Sequence, residues 1–299
     1  MILRFLNQRP KFFFKVILMN RQIFLLIVSL LFISPIFAQS DSTSLPGDDT
    51  VKYNFIVIGS RYQNQFAFWG RNYDQKIPFL GTSLMYYFHS GVWVSVSNFS
   101  FFDENVPTQL GLTLGYFKEL TSKMDWHTSY TQFYVPSQSI PSNYKTQGYA
   151  QTTFGIDWGL LFSSIQLHAL FNQNSDIFLT TYHSRYFQFN QLLWNKIMVS
   201  FEPKVSVTFG THHFEYASGL VIAPGGGGIV TQPNMNEDLG NKFQALNFDF
   251  SFPLKFSIGF FSVEPSWKYT LPIHTNPVNS SKGLHLFAIE LNYSVPMTR

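Results

Sequence analysis

The amino-acid sequence predicts an all-β protein: a transmembrane, up-and-down antiparallel β-barrel of about twelve strands. Three observations lead to this fold class. Apolar and polar residues alternate along segments of at least 11 residues, the connections between segments alternate between short and long, and charged residues are scarce. A tilted strand needs about 9–11 residues to cross a bilayer, whereas strands in soluble sheets average about 5–6 residues.

The composition separates this chain from ordinary soluble domains. Aromatic residues make up 18% of the sequence and charged residues only 12%, whereas a soluble domain usually carries about 25% charged residues. Beyond residue 38, no run approaches the roughly 18 uninterrupted apolar residues of a spanning helix. Strands with one apolar, lipid-facing side reconcile these facts. The chain has no cysteine, which excludes disulfides and cysteine metal sites.

The first 38 residues have the pattern of a cleavable secretion signal. Arg21 precedes an apolar stretch at 23–37, and cleavage is expected after Ala38; an uncleaved anchor helix is the alternative, and either Met1 or Met19 can be the start. The leader holds five basic and no acidic residues, which leaves 15 basic against 17 acidic residues in the remainder. The net charge of +3 therefore belongs to the leader, and nucleic-acid binding is not expected.

Residues 39–50 form a polar segment that we expect to lie in the periplasm, and residues 51–299 form the barrel. Alternation is clearest in 195–210, where residues such as Val199 and Val205 fall on one face and Ser200 and Lys204 on the other. The twelve predicted strands are 51–61, 78–88, 92–102, 108–118, 123–135, 146–158, 161–172, 177–189, 195–210, 242–257, 261–271 and 283–295.

The connections predict the orientation of the barrel. Outer-membrane barrels have short periplasmic turns and longer outer loops. Every second connection is tight, and the longest of the others covers residues 211–241. We therefore expect an integral outer-membrane protein with both termini in the periplasm. Pro203, Pro253 and Pro265 fall inside strands, and because proline lacks an N–H we expect β-bulges there.

The leader ending PIFAQS, the Phe- and Tyr-rich strands and the turn GYFKELTSKMDW resemble outer-membrane β-barrel proteins of the Bacteroidetes. The resemblance covers the whole mature chain and is architectural. The alternating residues Phe287, Ile289, Leu291 and Tyr293 are similar to an outer-membrane assembly signal, although the chain ends in Pro-Met-Thr-Arg rather than an aromatic residue. The resemblance implies outer-membrane lipid and the assembly machinery as partners.

If the apolar faces meet lipid, the polar faces line the lumen. The predicted lumen contains six acidic and six basic residues, a balance that favours mutual pairing over a charge-selective pore. The acidic residues are Asp125, Asp157, Glu202, Asp249, Glu264 and Glu290, and the basic residues are Lys52, Arg185, Lys196, Lys204, Lys255 and Lys268.

Three functions are compatible with this sequence. The first is a small channel or transporter for polar solutes, and the second is a structural or surface-interaction barrel that acts through its outer loops. The third is a lipid-modifying enzyme, for which His127 and Ser129 on one strand face are the candidate pair. No third catalytic group can be assigned, so we expect no enzyme activity.

No cofactor or metal is expected. His212 and His213 lie near Glu215, but neighbouring residues on a strand point apart. The four glycines at 225–228 lack the Lys-Ser/Thr of a phosphate-binding loop and favour a disordered loop. Seven aromatic residues near strand ends are predicted to form interfacial girdles, with carbohydrate stacking as the alternative for the first two: Trp69, Tyr73, Trp126, Tyr134, Trp158, Trp194 and Trp267.

Overall fold

The computed structural model describes residues 54–71, 76–104, 106–136, 146–171, 175–193, 197–211, 213, 219–222, 229–232, 242–273 and 283–297. The expectations for residues 1–50, Lys52, Tyr73, Trp194, Lys196, His212, Glu215 and residues 225–228 fall outside these ranges. Within them, no helix is long and apolar enough to span a membrane.

The described residues form sixteen strands. The strands are β1 (Asn54–Gln63), β2 (Phe79–Tyr87), β3 (Val92–Phe101), β4 (Gln109–Thr121), β5 (Met124–Tyr134), β6 (Thr146–Asp157), β7 (Phe162–Phe171), β8 (Asp176–Ser184), β9 (Phe187–Leu193), β10 (Ile197–Phe201), β11 (Lys204–Gly210), β12 (Gly219–Ile222), β13 (Ile229–Gln232), β14 (Gln244–Ile258), β15 (Phe261–Pro272) and β16 (Leu284–Met297).

Fourteen of these strands form a closed antiparallel barrel with twelve positions around its wall. We call each position a stave, because two of them are formed by two consecutive strands rather than one. β8 and β9 are two parts of one stave, as are β10 and β11, because the register between the two staves is the same on both sides of the interruption. β11 pairs with β8 and β14, and β1 closes the barrel on β16. The predicted fold class and strand number are confirmed. β12 and β13 form a separate small hairpin within the longest connection.

The three prolines interrupt the strand ladder without shifting its register, so the expected bulges are absent at these positions. β10 ends before Pro203 and β11 begins after it, yet both pair with β14 in one continuous register. Pairing between β14 and β15 also pauses after Pro253 and resumes unchanged at Phe256. A missing N–H removes a hydrogen bond but leaves the alternation of side chains intact.

The wall has an apolar outer face and a polar inner face. Leu84, Val96 and Leu112 point outward and are 55%, 57% and 62% exposed. The inner face of the same strands carries Ser83 on β2, Ser97 on β3 and Gly111 on β4. These three residues are cross-strand partners. The period-2 alternation predicted from the sequence therefore describes these strands correctly.

Candidate functional site

The connection between β1 and β2 folds into the barrel, and we call its described residues, 64–71 and 76–78, the lumen hairpin. Its stem is closed by a hydrogen bond from the Phe66 N–H to the Ile77 carbonyl at 2.8 Å. At its tip, Phe68 and Arg71 exchange two backbone hydrogen bonds of 2.8 and 3.0 Å. Trp69 and Gly70 between them have φ values of +46° and +79°, which is the pattern of a type I′ turn.

The tip (Phe68–Arg71) crosses the lumen and packs on the far wall. Phe68 forms a buried cluster with Leu170 on β7, Phe178 on β8 and Leu246 on β14. The ring centroids of Phe68 and Phe178 are 6.0 Å apart. Burial of one such side chain contributes about 1.5–3 kcal/mol, so Phe68 is the main apolar contact that holds the hairpin inside.

Trp69 extends the same contact along the wall. Its ring centroid lies 5.0 Å from that of Phe178 and 5.1 Å from that of His168. Trp69 therefore lies inside the barrel, and its predicted place in an interfacial girdle is wrong. Because the hairpin turns inward, an aromatic side chain in a polar connection finds its apolar surroundings inside the barrel.

Arg71 anchors the tip to two other elements. Its guanidinium donates to the carbonyl oxygens of Trp69 at 2.6 Å, Leu246 at 2.7 Å and Ile273 at 3.0 Å. Arg71 is only 2% exposed. Hydrogen bonds from a charged group are worth about 1.5–3 kcal/mol each, so Arg71 fixes the tip against β14 and the end of β15.

Gly70 allows the tip to approach the wall closely. A Cβ atom at this position would lie 3.0 Å from the Cβ of Asn247 and 3.1 Å from the Cγ2 of Thr270. Asn247 and Thr270 are each only 1% exposed. The backbone of the tip thus covers two polar side chains of β14 and β15, and any larger residue would push it away.

Several polar atoms under the tip lack hydrogen-bond partners among the described residues. They are the Nε1 of Trp69, the Nε2 of His168, the Oδ1 of Asn247 and the Oγ1 of Thr270. A buried polar group without a partner costs about 1–3 kcal/mol. The docked tip therefore gains from apolar packing and from Arg71 but loses at this polar surface, a balance that suits a reversible contact.

His168 is the most enclosed ionisable side chain of the far wall that touches the tip. It is 3% exposed, and its Nδ1 forms a 2.8 Å hydrogen bond with the hydroxyl of Tyr149 on β6. The two rings are nearly parallel, with centroids 5.8 Å apart. Because Nδ1 faces Tyr149, Nε2 lies on another edge of the ring, and Trp69 packs against the same ring.

Most of the predicted lumen residues within the described ranges lie on the inner face. Lys204 and Glu202 form an ion pair of 3.1 Å, and Lys268 and Asp249 one of 3.6 Å. Glu264 and Glu290 are direct cross-strand partners, and Glu290 also meets Arg61 at 3.4 Å. The remaining members on this face are Asp125, Asp157 and Lys255.

Arg185 is an exception: it lies between β8 and β9 at a position of the outward phase, and it is only 7% exposed. Its guanidinium lies 5.1 Å from the ring centroid of Phe187, and Phe187 pairs with the outward-facing Phe201. Inward positions of β8 are the even-numbered ones, such as Tyr182 and Ser184. The sequence analysis had placed Arg185 among the residues that line the lumen.

The charge of the inner face is not balanced among the described residues. Two acidic residues that the prediction did not contain also face inward: Glu119 lies opposite Asp125, and Asp176 is fully buried beside His213. The inner face then carries eight acidic residues against four basic ones. These are Glu119, Asp125, Asp157, Asp176, Glu202, Asp249, Glu264 and Glu290 against Arg61, Lys204, Lys255 and Lys268.

Leu246 shows a second change of face. By alternation, Leu246 belongs with the outward residues Phe248 and Phe250 of its strand, but it is fully buried against the tip. The register between β11 and β14 shifts between Thr208 and Phe209, and this bulge leaves Leu246 without a partner on β11. A bulge re-aims one side chain without disturbing the rest of the strand.

The proposed catalytic pair His127 and Ser129 is not brought together. The ring of His127 is instead stacked on Trp93, with centroids 5.7 Å apart. A different pair is in contact on the outer face, where the Oγ of Ser163 lies 2.8 Å from the Nδ1 of His183. No carboxylate is bonded to His183 among the described residues, so an orienting third group is missing there too.

His213 starts the longest connection and is bound to Asp176 in the wall of the barrel. Its Nδ1 lies 3.1 Å and its backbone N 2.8 Å from the Oδ1 of Asp176, which also accepts a hydrogen bond from Thr211. The part of the chain that the structure describes contains no group of three or more potential metal ligands. The pair therefore acts as an anchor for the connection.

The sequence reasoning missed the lumen hairpin. The clue was the segment FAFWGR at 66–71, in which two aromatic residues and an arginine surround a Trp-Gly turn in a connection between two strands. Large aromatic residues in a turn are expected to be buried against another part of the protein. Only the tertiary contacts show that this part is the inner face of the opposite wall.

No protein-family model matches this chain, and no curated protein matches it in sequence. Several solved structures are similar in shape. The KdgM porin has a TM-score of 0.46 at 7% identity, over 80% of this chain and 99% of that chain. The NanC porin has a TM-score of 0.44 at 8% identity, over 80% and 98%.

LpxR from Salmonella typhimurium is similar to the same degree, with a TM-score of 0.42 at 8% identity over 79% of this chain and 99% of that chain. Identities and scores this low carry no conclusion about function. The class of the protein rests on its own architecture: a closed, twelve-stave antiparallel barrel with an apolar outside, a polar inside and a hairpin across its lumen.

Proposed function

We propose that this chain is an integral outer-membrane channel for polar solutes that its own lumen hairpin holds closed. The observation that carries the proposal is the docked tip. A polar, acid-rich lumen is crossed by one hairpin, which Arg71 and Phe68 attach to the far wall. A purely structural barrel needs no such displaceable element.

The membrane location is supported by the outer face. Outward side chains such as Leu84, Leu112 and Ile165 are 55–62% exposed, which is unfavourable in water and favourable in hydrocarbon. The length of the strands agrees with a bilayer crossing. The tight turns that follow β2 and β14 lie at the end where β1 begins, which supports periplasmic termini.

Arg71→Ala tests the channel directly. Loss of even one charge-assisted hydrogen bond shifts the docking equilibrium by about tenfold or more, so the open fraction should rise accordingly. We expect the purified, refolded variant to conduct strongly in planar bilayers while the wild-type protein is mostly closed. Arg71→Lys keeps the charge but not the planar set of donors, and it should be intermediate.

Thr113→Val is a matched control on the inner wall, because Thr113 bonds Thr131 and does not touch the tip. It should leave conductance at the wild-type value. If Arg71→Ala folds but conducts no better than wild type, the channel is refuted. The surface-interaction barrel would then be favoured, with the β12–β13 hairpin in the longest connection as its working part.

A further inference from the structure

The wall surface beneath the tip contains several buried polar atoms without hydrogen-bond partners among the described residues. We define the seat as the four wall residues that the tip covers: His168, Phe178, Asn247 and Thr270. All four are nine-tenths or more buried. Three of them carry a buried polar atom that has no hydrogen-bond partner among the described residues.

These atoms define what a ligand must supply. The Oδ1 of Asn247 accepts hydrogen bonds, the Oγ1 of Thr270 both donates and accepts, and the Nε2 of His168 does either according to its tautomer. A ligand with several hydroxyl groups can satisfy all three. A simple ion can satisfy only one sense of hydrogen bond.

The aromatic residues of the seat add a second requirement. Phe178 and the stacked rings of His168 and Tyr149 form an apolar patch beside the polar atoms. A ligand that fits must combine hydroxyl groups with an apolar face. Cyclic sugars have this combination, because the C–H groups of the ring form an apolar face and the hydroxyl groups point outward.

The charges around the seat favour a neutral ligand. Acidic residues on the strands of the seat already have partners: Asp249 accepts from Asn247 at 2.9 Å and pairs with Lys268, and Asp176 accepts hydrogen bonds from Thr211 and from the His213 backbone. No basic residue belongs to the seat. An acidic sugar would therefore find no basic partner for its carboxylate in the seat.

We propose that the seat is a binding site for neutral sugars, and that the tip occupies this site and is displaced by the ligand. This inference rests on the proposed channel and names its solute class. The tip blocks the site because Gly70 lies directly against Asn247 and Thr270, while Trp69 covers His168. Sugar and tip therefore compete for one surface.

The test uses the refolded full chain carrying Arg71→Ala, in which the tip is released and the seat is open. Maltotriose is the neutral probe and trigalacturonate the acidic one. We expect maltotriose to block the ion current and to bind in calorimetry, and trigalacturonate to be at least about tenfold weaker. Without Arg71→Ala, maltotriose should bind more weakly, since it must displace the tip.

Thr270→Val is the diagnostic second change, because it removes the unpaired hydroxyl and keeps the shape of the side chain. In the Arg71→Ala background it should raise the half-blocking concentration of maltotriose by about tenfold. In the wild-type background it should reduce the open fraction, since the docked tip no longer buries that hydroxyl. Thr113→Val should change neither quantity. A purely structural role for Thr270 predicts the second effect without the first.

The outcomes separate this inference from the proposed function. A conducting Arg71→Ala channel that maltotriose neither blocks nor binds, or whose block is insensitive to Thr270→Val, refutes the sugar site and leaves the channel standing. A non-conducting Arg71→Ala protein that binds maltotriose in calorimetry, with loss of affinity in Thr270→Val, keeps the site and refutes the channel. Preferential binding of trigalacturonate would overturn the assignment to neutral sugars.

Discussion

At the scale of single residues, the register between β15 and β16 decides how the lumen charges interact. Glu264 and Glu290 are direct cross-strand partners, and like charges in such pairs are destabilising. Arg61 contacts only Glu290 of the two at ion-pair distance among the described residues. The sequence favoured a packed network of paired charges, but the register puts two carboxylates side by side.

Glu264→Gln should therefore stabilise the barrel modestly, by about 0.2–1 kcal/mol near neutral pH, because it removes a like-charge pair. Urea unfolding of the protein in lipid vesicles measures this. Asp249→Asn is the matched comparison and should destabilise, since Asp249 accepts from Asn247 and pairs with Lys268. A clear loss of stability in Glu264→Gln would restore the packed network.

The two faces of one strand can be separated by neighbouring substitutions. Phe250 points outward and Ser251 inward, opposite Lys204. Phe250→Arg should destabilise the barrel by about 2–4 kcal/mol in lipid, because an arginine near the middle of the bilayer loses its hydration. Ser251→Arg should cost clearly less in the same unfolding assay. Equal losses would contradict the assigned faces of β14.

At the scale of elements, the lumen hairpin depends on one turn. Trp69 and Gly70 both have positive φ values, and Gly70 also fits closely against the wall. The turn type could be suspected from the Trp-Gly pair, but the segment reads as an ordinary outer loop. Whether such a loop stands outward or folds inward depends on contacts with β7, β8 and β14, which no local pattern contains.

Gly70→Ala should release the tip. The new Cβ requires positive φ, at a cost of about 1–2 kcal/mol, and it also presses on Asn247 and Thr270. We expect higher conductance and faster amide hydrogen exchange at the Phe68 and Arg71 N–H groups. Gly159→Ala is a matched control, because its φ is +81° but no atom lies within 4 Å of the added Cβ.

That control should lose a similar amount of backbone stability and leave both readouts of the tip unchanged. If Gly70→Ala and Gly159→Ala behave alike, close contact with the wall is not what positions the tip.

At the scale of the whole molecule, the inner face has an excess of acidic residues within the described ranges. Three of them lie on the neighbouring strands β4 to β6: Glu119, Asp125 and Asp157. They form no ion pair with another residue of the described ranges. A lumen with one dominant sign of charge favours counter-ions. The proposed channel should therefore prefer cations.

Reversal potentials across a KCl gradient measure this preference in the Arg71→Ala channel. We expect cation selectivity, and we expect the combined change Glu119→Gln, Asp125→Asn and Asp157→Asn to reduce it substantially. The outward Lys118→Gln is the control, since Lys118 lies on the opposite face of β4. Selectivity for anions, or none that responds to the three changes, would contradict an acid-dominated lumen.

The sequence by itself determined the architecture: strand number, strand length and the face of most residues. Nearly every predicted strand is present within a few residues of its predicted bounds, from β1 (Asn54–Gln63) to β16 (Leu284–Met297). The reason is physical. A bilayer requires each strand to carry its own apolar face, so the information is local and is repeated in every strand.

The tertiary structure alone decided the site. Leu246 turns inward because of a bulge opposite β11, and Trp69 meets His168 across the lumen. Each of these depends on the register of paired strands or on contacts between residues about 100 or more positions apart, as between Arg71 and Leu246. Such contacts leave no periodic trace in the sequence, because a single glycine or arginine in a loop can face any of several walls.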